Sequence, residues 1–216
     1  AGTTLDAIYE TIEGILKKEH QTVRKSSAIR LLSQGGAAYE HVDVVPGRFF
    51  DEKKADTWLH RTDGDKCRFK TNLDIHLATI RDSGFTPLIR LIKLWARRNG
   101  IECRTFILEL MAIELASESG STSLVDQVVY VFEQLRDAAD SLSVEDPANP
   151  TGNDLSGDFE EAKPSLTYFA DRAMSSIDAG DWESVFGKVD DEQDKAEALR
   201  SVAVHVKPSS EPWARD

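Results

Sequence analysis

The residues whose types and spacing best suit chemistry lie along Glu40-His41-Val42-Asp43-Val44-Val45-Pro46-Gly47-Arg48-Phe49, a strand-like run that carries a carboxylate and stops at a proline. An acid within β-branched residues is costly to bury, so Asp43 needs a metal ion, a partner charge or an open cleft beside it. The nearest candidate partners are His41 and an arginine. A second carboxylate pair, Asp63-Gly64-Asp65, has turn-forming composition and reads as a loop. The histidines His20, His41, His60, His76 and His205 show no HxxxH or cysteine-linked spacing, which leaves a zinc site unsupported.

Bulk properties narrow the function classes. A chain of 216 residues with 40% hydrophobic content can bury a core without staples, as one large domain or two small lobes. Cys67 and Cys103 lie far apart and no signal-like apolar segment opens the chain, which suits a reducing, cytoplasmic compartment. No stretch approaches the apolar length of a membrane span. The net charge of -12 and the pI of about 4.9 disfavour a broad duplex footprint, although Arg90, Arg97 and Arg98 form one basic patch. A nucleotide whose phosphates are masked by divalent metal remains compatible with this balance.

The elements that must position these residues follow from periodicity and caps. Leu5 to Lys18 places Leu5, Ile8, Ile12, Ile15 and Leu16 at helical spacing after Thr3 and Thr4. Thr22 to Leu32 and Ala37 to Val45 read as two strands joined at Ser33-Gln34-Gly35-Gly36, with His41, Asp43 and Val45 on one face and Val42 and Val44 on the other. Trp58 to Thr62 and Lys66 to Lys70 read as a second hairpin. From Asn72 onward the pattern turns helical. Asn72 caps a helix to about Asp82, and Thr86-Pro87 starts one whose buried stripe is Leu88, Leu91, Ile92 and Trp95 and which Gly100 closes. Further helices are expected over Arg104 to Ala116, Ser123 to Ala139, Asp158 to Ala179 and Asp190 to Val202, with a turn-rich loop from Asp146 to Asp154. By residue type alone, Lys93 is a solvated helix lysine, Thr105 a helix cap or first-turn threonine, and His76 a packing or surface histidine. Trp95, Phe106 and Leu108 fall on apolar stripes, and Glu109 is either helix surface or the buried partner of an arginine.

In order and spacing, five segments resemble the second half of a CD-NTase nucleotidyltransferase, the bacterial relatives of cyclic GMP-AMP synthase and oligoadenylate synthetase. They are His41-Val42-Asp43-Val44-Val45-Pro46; Lys70-Thr71-Asn72; Leu88-Ile89-Arg90-Leu91-Ile92-Lys93-Leu94-Trp95; Thr105-Phe106-Ile107-Leu108-Glu109; and Asp146-Pro147 through Asn153-Asp154. The resemblance implies an α+β fold in which an incomplete polymerase-β-like palm over 1–70 packs on a larger helical lobe over 71–205, followed by a tail over 206–216. It implies Mg²⁺ or Mn²⁺, with Asp43 as the third metal carboxylate and catalytic acid-base support. Lys93 would reach the β and γ phosphates of the donor, and Thr105 would bond the triphosphate. The substrates would be NTPs, ATP first, and the product a cyclic or linear oligonucleotide signal in antiphage defence.

The family's Gly-Ser helix end and its Asp-x-Asp strand do not occur in usable context, so two of three metal carboxylates are absent. Either the chain is truncated, or the missing part comes from another chain, or catalysis has been lost; the helix beginning near residue 1 favours truncation. The isolated polypeptide is therefore expected to be inactive without a missing N-terminal fragment or a regulatory protein. Two other classes remain: a non-catalytic nucleotide-binding or regulatory module, and a polymerase-β-like transferase acting on protein or tRNA.

Overall fold

The computed structural model describes residues 4–32, 41–62, 67–149 and 155–188. The expected turn at Ser33 to Gly36, Asp63-Gly64-Asp65, the loop end Pro150 to Asp154 and the helix Asp190 to Val202 with the tail lie outside them, wholly or in part. The chain is mixed α+β, built from two small antiparallel sheets and a set of packed helices.

Helix α1 (Leu5–Leu16) starts where the Thr4 hydroxyl accepts the Ala7 N–H at 3.2 Å, and it buries Leu5, Tyr9 and Glu13. The first sheet is β1 (Thr22–Arg24), β2 (Ile29–Leu32) and β3 (His41–Val44); the second is β4 (Gly47–Phe49), β5 (Thr57–His60) and β6 (Arg68–Thr71), each in that order. The run Thr22 to Leu32, expected as one strand, is a hairpin, because Lys25 donates its N–H to the Ala28 carbonyl at 2.8 Å across a polar Ser26-Ser27 turn. The expected second hairpin is present as β5 paired with β6. Pro46 ends β3 as expected, but the chain resumes at once as β4 in the other sheet. Gly47 makes that pairing possible: a Cβ there would stand 2.7 Å from Leu59 Cδ2 and 3.1 Å from the Trp58 carbonyl oxygen.

Helix α1 holds the sheets together by contacts on one face. The Tyr9 hydroxyl donates to the Ala28 carbonyl at 2.8 Å, its ring packs on His60 of β5, and Glu13 receives the Arg24 guanidinium of β1. Lys17 adds a 2.9 Å ion pair one turn further along.

The helical part follows its caps closely. Asn72 Oδ1 accepts the Ile75 N–H to start α2 (Leu73–Arg81), and Pro87 lies in the first turn of α3 (Thr86–Arg98), after which Gly100 takes φ +64°. Then come α4 (Thr105–Ser119), α5 (Leu124–Asp137), capped by Ser123, α6 (Ser156–Asp178) and α7 (Trp182–Phe186). Leu88, Ile92 and Trp95 of α3 are buried as expected; Leu91 is only half-buried, and Ile89 and Ala96 replace it. Helix α4 buries Ile107, Leu108, Met111, Ala112 and Leu115 around its circumference, which suits its place between α3, α5 and α2. Phe132, Phe159 and Leu166 close the core from α5 and α6. Among the described residues no helix is long and apolar enough to cross a membrane.

Glu13 is buried against Arg24 and Lys17, whose hydrogen bonds hold its carboxyl well below the ordinary range, at about 2. Its folded pKa lies below its unfolded one, so its contribution is complete above the ordinary glutamate range and is lost as pH falls toward about 2. Glu13→Gln is expected to cost about 2 kcal/mol at neutral pH and to flatten the acid limb of stability, measured by urea unfolding across pH. An unchanged acid limb in the variant would contradict this account.

Candidate functional site

Asp43 sits on β3 directly across from Arg30 of β2, the partner that the antiparallel register assigns to it. The guanidinium fork grips both carboxylate oxygens, Nε to Oδ1 and Nη2 to Oδ2, each at 2.8 Å. The Asp43 side chain is 36% exposed, so the burial cost anticipated for an acid in this run is largely avoided. The Arg30 hydrogen bonds hold its carboxyl below the usual range, with smaller help from Arg30's charge, His41 and Lys25, and it is ionised at neutral pH. Of the three ways to accommodate this acid, the described residues supply a partner charge and solvent access.

The fork occupies one direction on each oxygen and leaves the others for a further ligand. Among the described residues, however, no group of three or more His, Cys, Asp or Glu side chains is arranged to hold a metal ion. One carboxylate does not make a two-metal centre, so the residues present do not by themselves fit the ions that the resemblance implies. Asp43 can contribute a single oxygen ligand to such a site.

Lys93 and Thr105 belong to a second locus. Lys93 projects from the middle of α3, and its ammonium donates to Glu109 Oε1 of α4 at 2.6 Å. Thr105 is exposed in the first turn of α4, one helical turn before Glu109 and on the same side of the helix. The Lys93 ammonium of α3 thus reaches the turn of α4 that follows Thr105, with Glu109 as its countercharge. Arg104, which precedes α4, provides no side-chain cap, so the first-turn N–H groups carry the positive end of the helix dipole there. Arg104 instead pairs with Asp158 at 2.8 Å. No described contact joins Asp43 to Lys93 or Thr105.

Beside this helix start lies a polar seam that residue types alone do not reveal. Asp146 is completely buried, and its Oδ1 meets His76 Nε2 at 2.7 Å and accepts the Ala148 N–H at 2.8 Å. The second contact is an Asx-turn, the local geometry that Asp146-Pro147 favours. His76, expected to be a packing or surface residue, therefore ties α2 to this loop, and its ring also packs on Phe106 at 4.6 Å between centroids. Asn149 donates to the Lys70 carbonyl at 2.8 Å. The Lys70 ammonium and the Asn72 amide in turn converge on Asp56 at 2.8 and 2.9 Å. Residues 146–149 thus fasten the end of β6 and α2 to the helical core. The Asp-Pro-x-Asn turn was a visible signal for the loop; its partner His76 could be found only in three dimensions.

No family model matches the chain, and no curated protein or solved structure matches it.

Removing the imidazole takes one hydrogen-bond partner from a carboxylate with no solvent access, so His76→Ala is expected to destabilise the fold by about 2 kcal/mol in urea unfolding. A change within about 0.5 kcal/mol, the range of ordinary surface substitutions, would reject the seam as a structural element.

Proposed function

We propose that this chain is a nucleotidyltransferase polypeptide resembling the second half of cyclic GMP-AMP synthase and oligoadenylate synthetase relatives, acting on NTPs, ATP first. In this reading its sheets are part of a polymerase-β-like palm. The observation that carries the proposal is that Lys93 of α3 reaches across to Glu109 of α4, one helical turn beyond Thr105 at a helix start that has no side-chain cap. A helix N-terminus presents aligned N–H donors to an anion, a lysine adds a mobile point charge, and a threonine hydroxyl adds a directional donor. Together they suit the phosphates of a nucleotide. Binding would require the Lys93 ammonium to turn from Glu109 toward the ligand, leaving Glu109 to neutralise the site when it is empty.

Divalent Mg²⁺ or Mn²⁺ supplies charge stabilisation in nucleotidyl transfer. Asp43 is offered as one ligand, and the remaining carboxylates would come from polypeptide outside the described residues. The product would be a cyclic or linear oligonucleotide made in the cytoplasm as an antiphage signal, an assignment that rests on the sequence resemblance alone. A second reading, a non-catalytic nucleotide-binding or regulatory module, is favoured by the Arg30 fork, which satisfies Asp43 without any metal.

Two measurements separate these readings. Lys93→Ala is expected to weaken ATP binding about tenfold or more in isothermal titration, the equivalent of about 1.4 kcal/mol. In the complete protein with labelled NTPs and Mg²⁺ or Mn²⁺, Asp43→Ala is expected to abolish product formation. Unchanged turnover would reject Asp43 as a ligand; binding without turnover in the wild type would select the regulatory module. A labelled protein or tRNA in place of an oligonucleotide would identify a transferase of macromolecules.

A further inference from the structure

Helix α3 carries a cationic face on the side turned away from its buried stripe. Arg90, Leu94 and Arg97 follow one another at i, i+4 and i+7, so they share one side of the helix, and all three are exposed, Leu94 to 42%. Lys93 flanks this stripe toward α4 and Arg98 flanks it toward α7. The helix contains no acidic residue. Elsewhere Arg24, Arg30, Arg81, Arg104 and Arg136 each pair with a carboxylate. The guanidinium groups of Arg90, Arg97 and Arg98 have no hydrogen bond or ion pair among the described residues, although the chain carries a net charge of -12. The negative end of the helix dipole accounts for cations in the last turn, where Arg97 and Arg98 lie, but not for Arg90 further back.

The path of the chain after α7 supplies a second, independent observation. Gly187 takes φ +92°, and a Cβ there would stand 2.6 Å from Arg98 Nη1, so the guanidinium lies against the backbone as it leaves the helix. Residues 190–197, outside the described residues, then carry Asp190, Asp191, Glu192, Asp194 and Glu197, with Lys195 as the one cation among them. A residue spans at most about 3.6 Å, which keeps the first four of these acids within about 25 Å of Gly187. The stripe from Arg90 to Arg98 measures about 12 Å along α3, well inside that reach.

We propose that residues 190–197 dock on the exposed face of α3 and pair their carboxylates with Arg90, Arg97 and Arg98. The tether favours this occupant over a free acidic partner. A segment joined a few residues away meets the stripe at an effective concentration of about millimolar, which offsets the small value of each surface ion pair. Docking neutralises the one face of α3 that would otherwise attract a polyanion, and it makes access to that face a salt-dependent competition. Nothing in this contact depends on nucleotidyl transfer.

Arginine reactivity reads this contact directly. In the full chain at low salt, phenylglyoxal modification of Arg90, Arg97 and Arg98 is followed by mass spectrometry, with Arg68, whose guanidinium lies over the Trp58 ring, as the reference. The variant Asp190→Asn, Asp191→Asn, Glu192→Gln, Asp194→Asn is expected to react about threefold faster at Arg97 and Arg98, with Arg68 unchanged. In about 1 M salt, where the Debye length is about 3 Å, the unaltered chain is expected to lose the same protection. That arm needs no variant and stands should the substituted chain fail to fold. A control carrying Glu10→Gln, Glu19→Gln, Glu52→Gln and Glu118→Gln removes the same charge elsewhere and should leave the stripe protected. Equal rates in the wild type and the 190–194 variant, or equal acceleration in the control, would overturn the proposal. So would protection that rises with protein concentration, which would assign the stripe to a second copy of the chain. Duplex DNA that protects the stripe equally well in the wild type and in the 190–194 variant would show an open face and would also overturn it.

Discussion

The sheet-bearing half of the chain depends on one face of helix α1. Neither three-stranded sheet has enough apolar surface to hold itself, since β3 leaves Val42 61% exposed and β4 leaves Phe49 50% exposed. Tyr9 and Glu13 compensate by reaching different strands from adjacent turns: the phenol fixes the β1–β2 turn and meets β5, and the carboxylate fixes β1. The Thr62 N–H donates to the Ser26 carbonyl at 2.8 Å and completes the tie between the sheets. Stability in this half comes from a few directional contacts instead of a broad core.

The helical half is organised in the opposite way. Its core is continuous from α3 to α7, with aromatic contacts such as Trp95 on Phe132 at 4.9 Å between centroids. The two halves meet through polar groups: Asp146, His76, Asn149 and the Asp56 cluster join β6, α2 and the loop after α5. Such groups specify one register of the seam, because a shifted one would leave a buried carboxylate unpaired. Phe106 and His76 place that seam, with its hydrogen bond between His76 and Asp146, beside the start of α4.

Helices were readable from sequence because their signals are local. Asn72, Thr86-Pro87 and Gly100 act within a turn of the residues they cap, and each is found in its expected role. The break between β1 and β2 was hidden because Lys25-Ser26-Ser27 contains no glycine or proline, and β4 because three residues are too few to show alternation. Side-chain partners were less legible still. An arginine beside Asp43 could be anticipated, but that it is Arg30 follows from the β2–β3 register; that Glu109 answers Lys93 follows from how α3 packs on α4. Asp56 and Asp146 carried no chemical signature in sequence, since their meaning comes from partners distant along the chain.

Gly47 has a bearing on which changes this chain can absorb. A Cβ at that point would press on the Leu59 and Thr57 side chains and come within 3.1 Å of the Trp58 carbonyl oxygen, so alanine or serine requires those neighbours to shift. Arg48 and Phe49 are carried by the same three residues and point to opposite faces of the sheet. Evolution at this junction is therefore coupled: added volume at Gly47 bears on the strand that carries both Arg48 and Phe49, whereas changes at Arg48 or Phe49 can tune one face of the sheet alone.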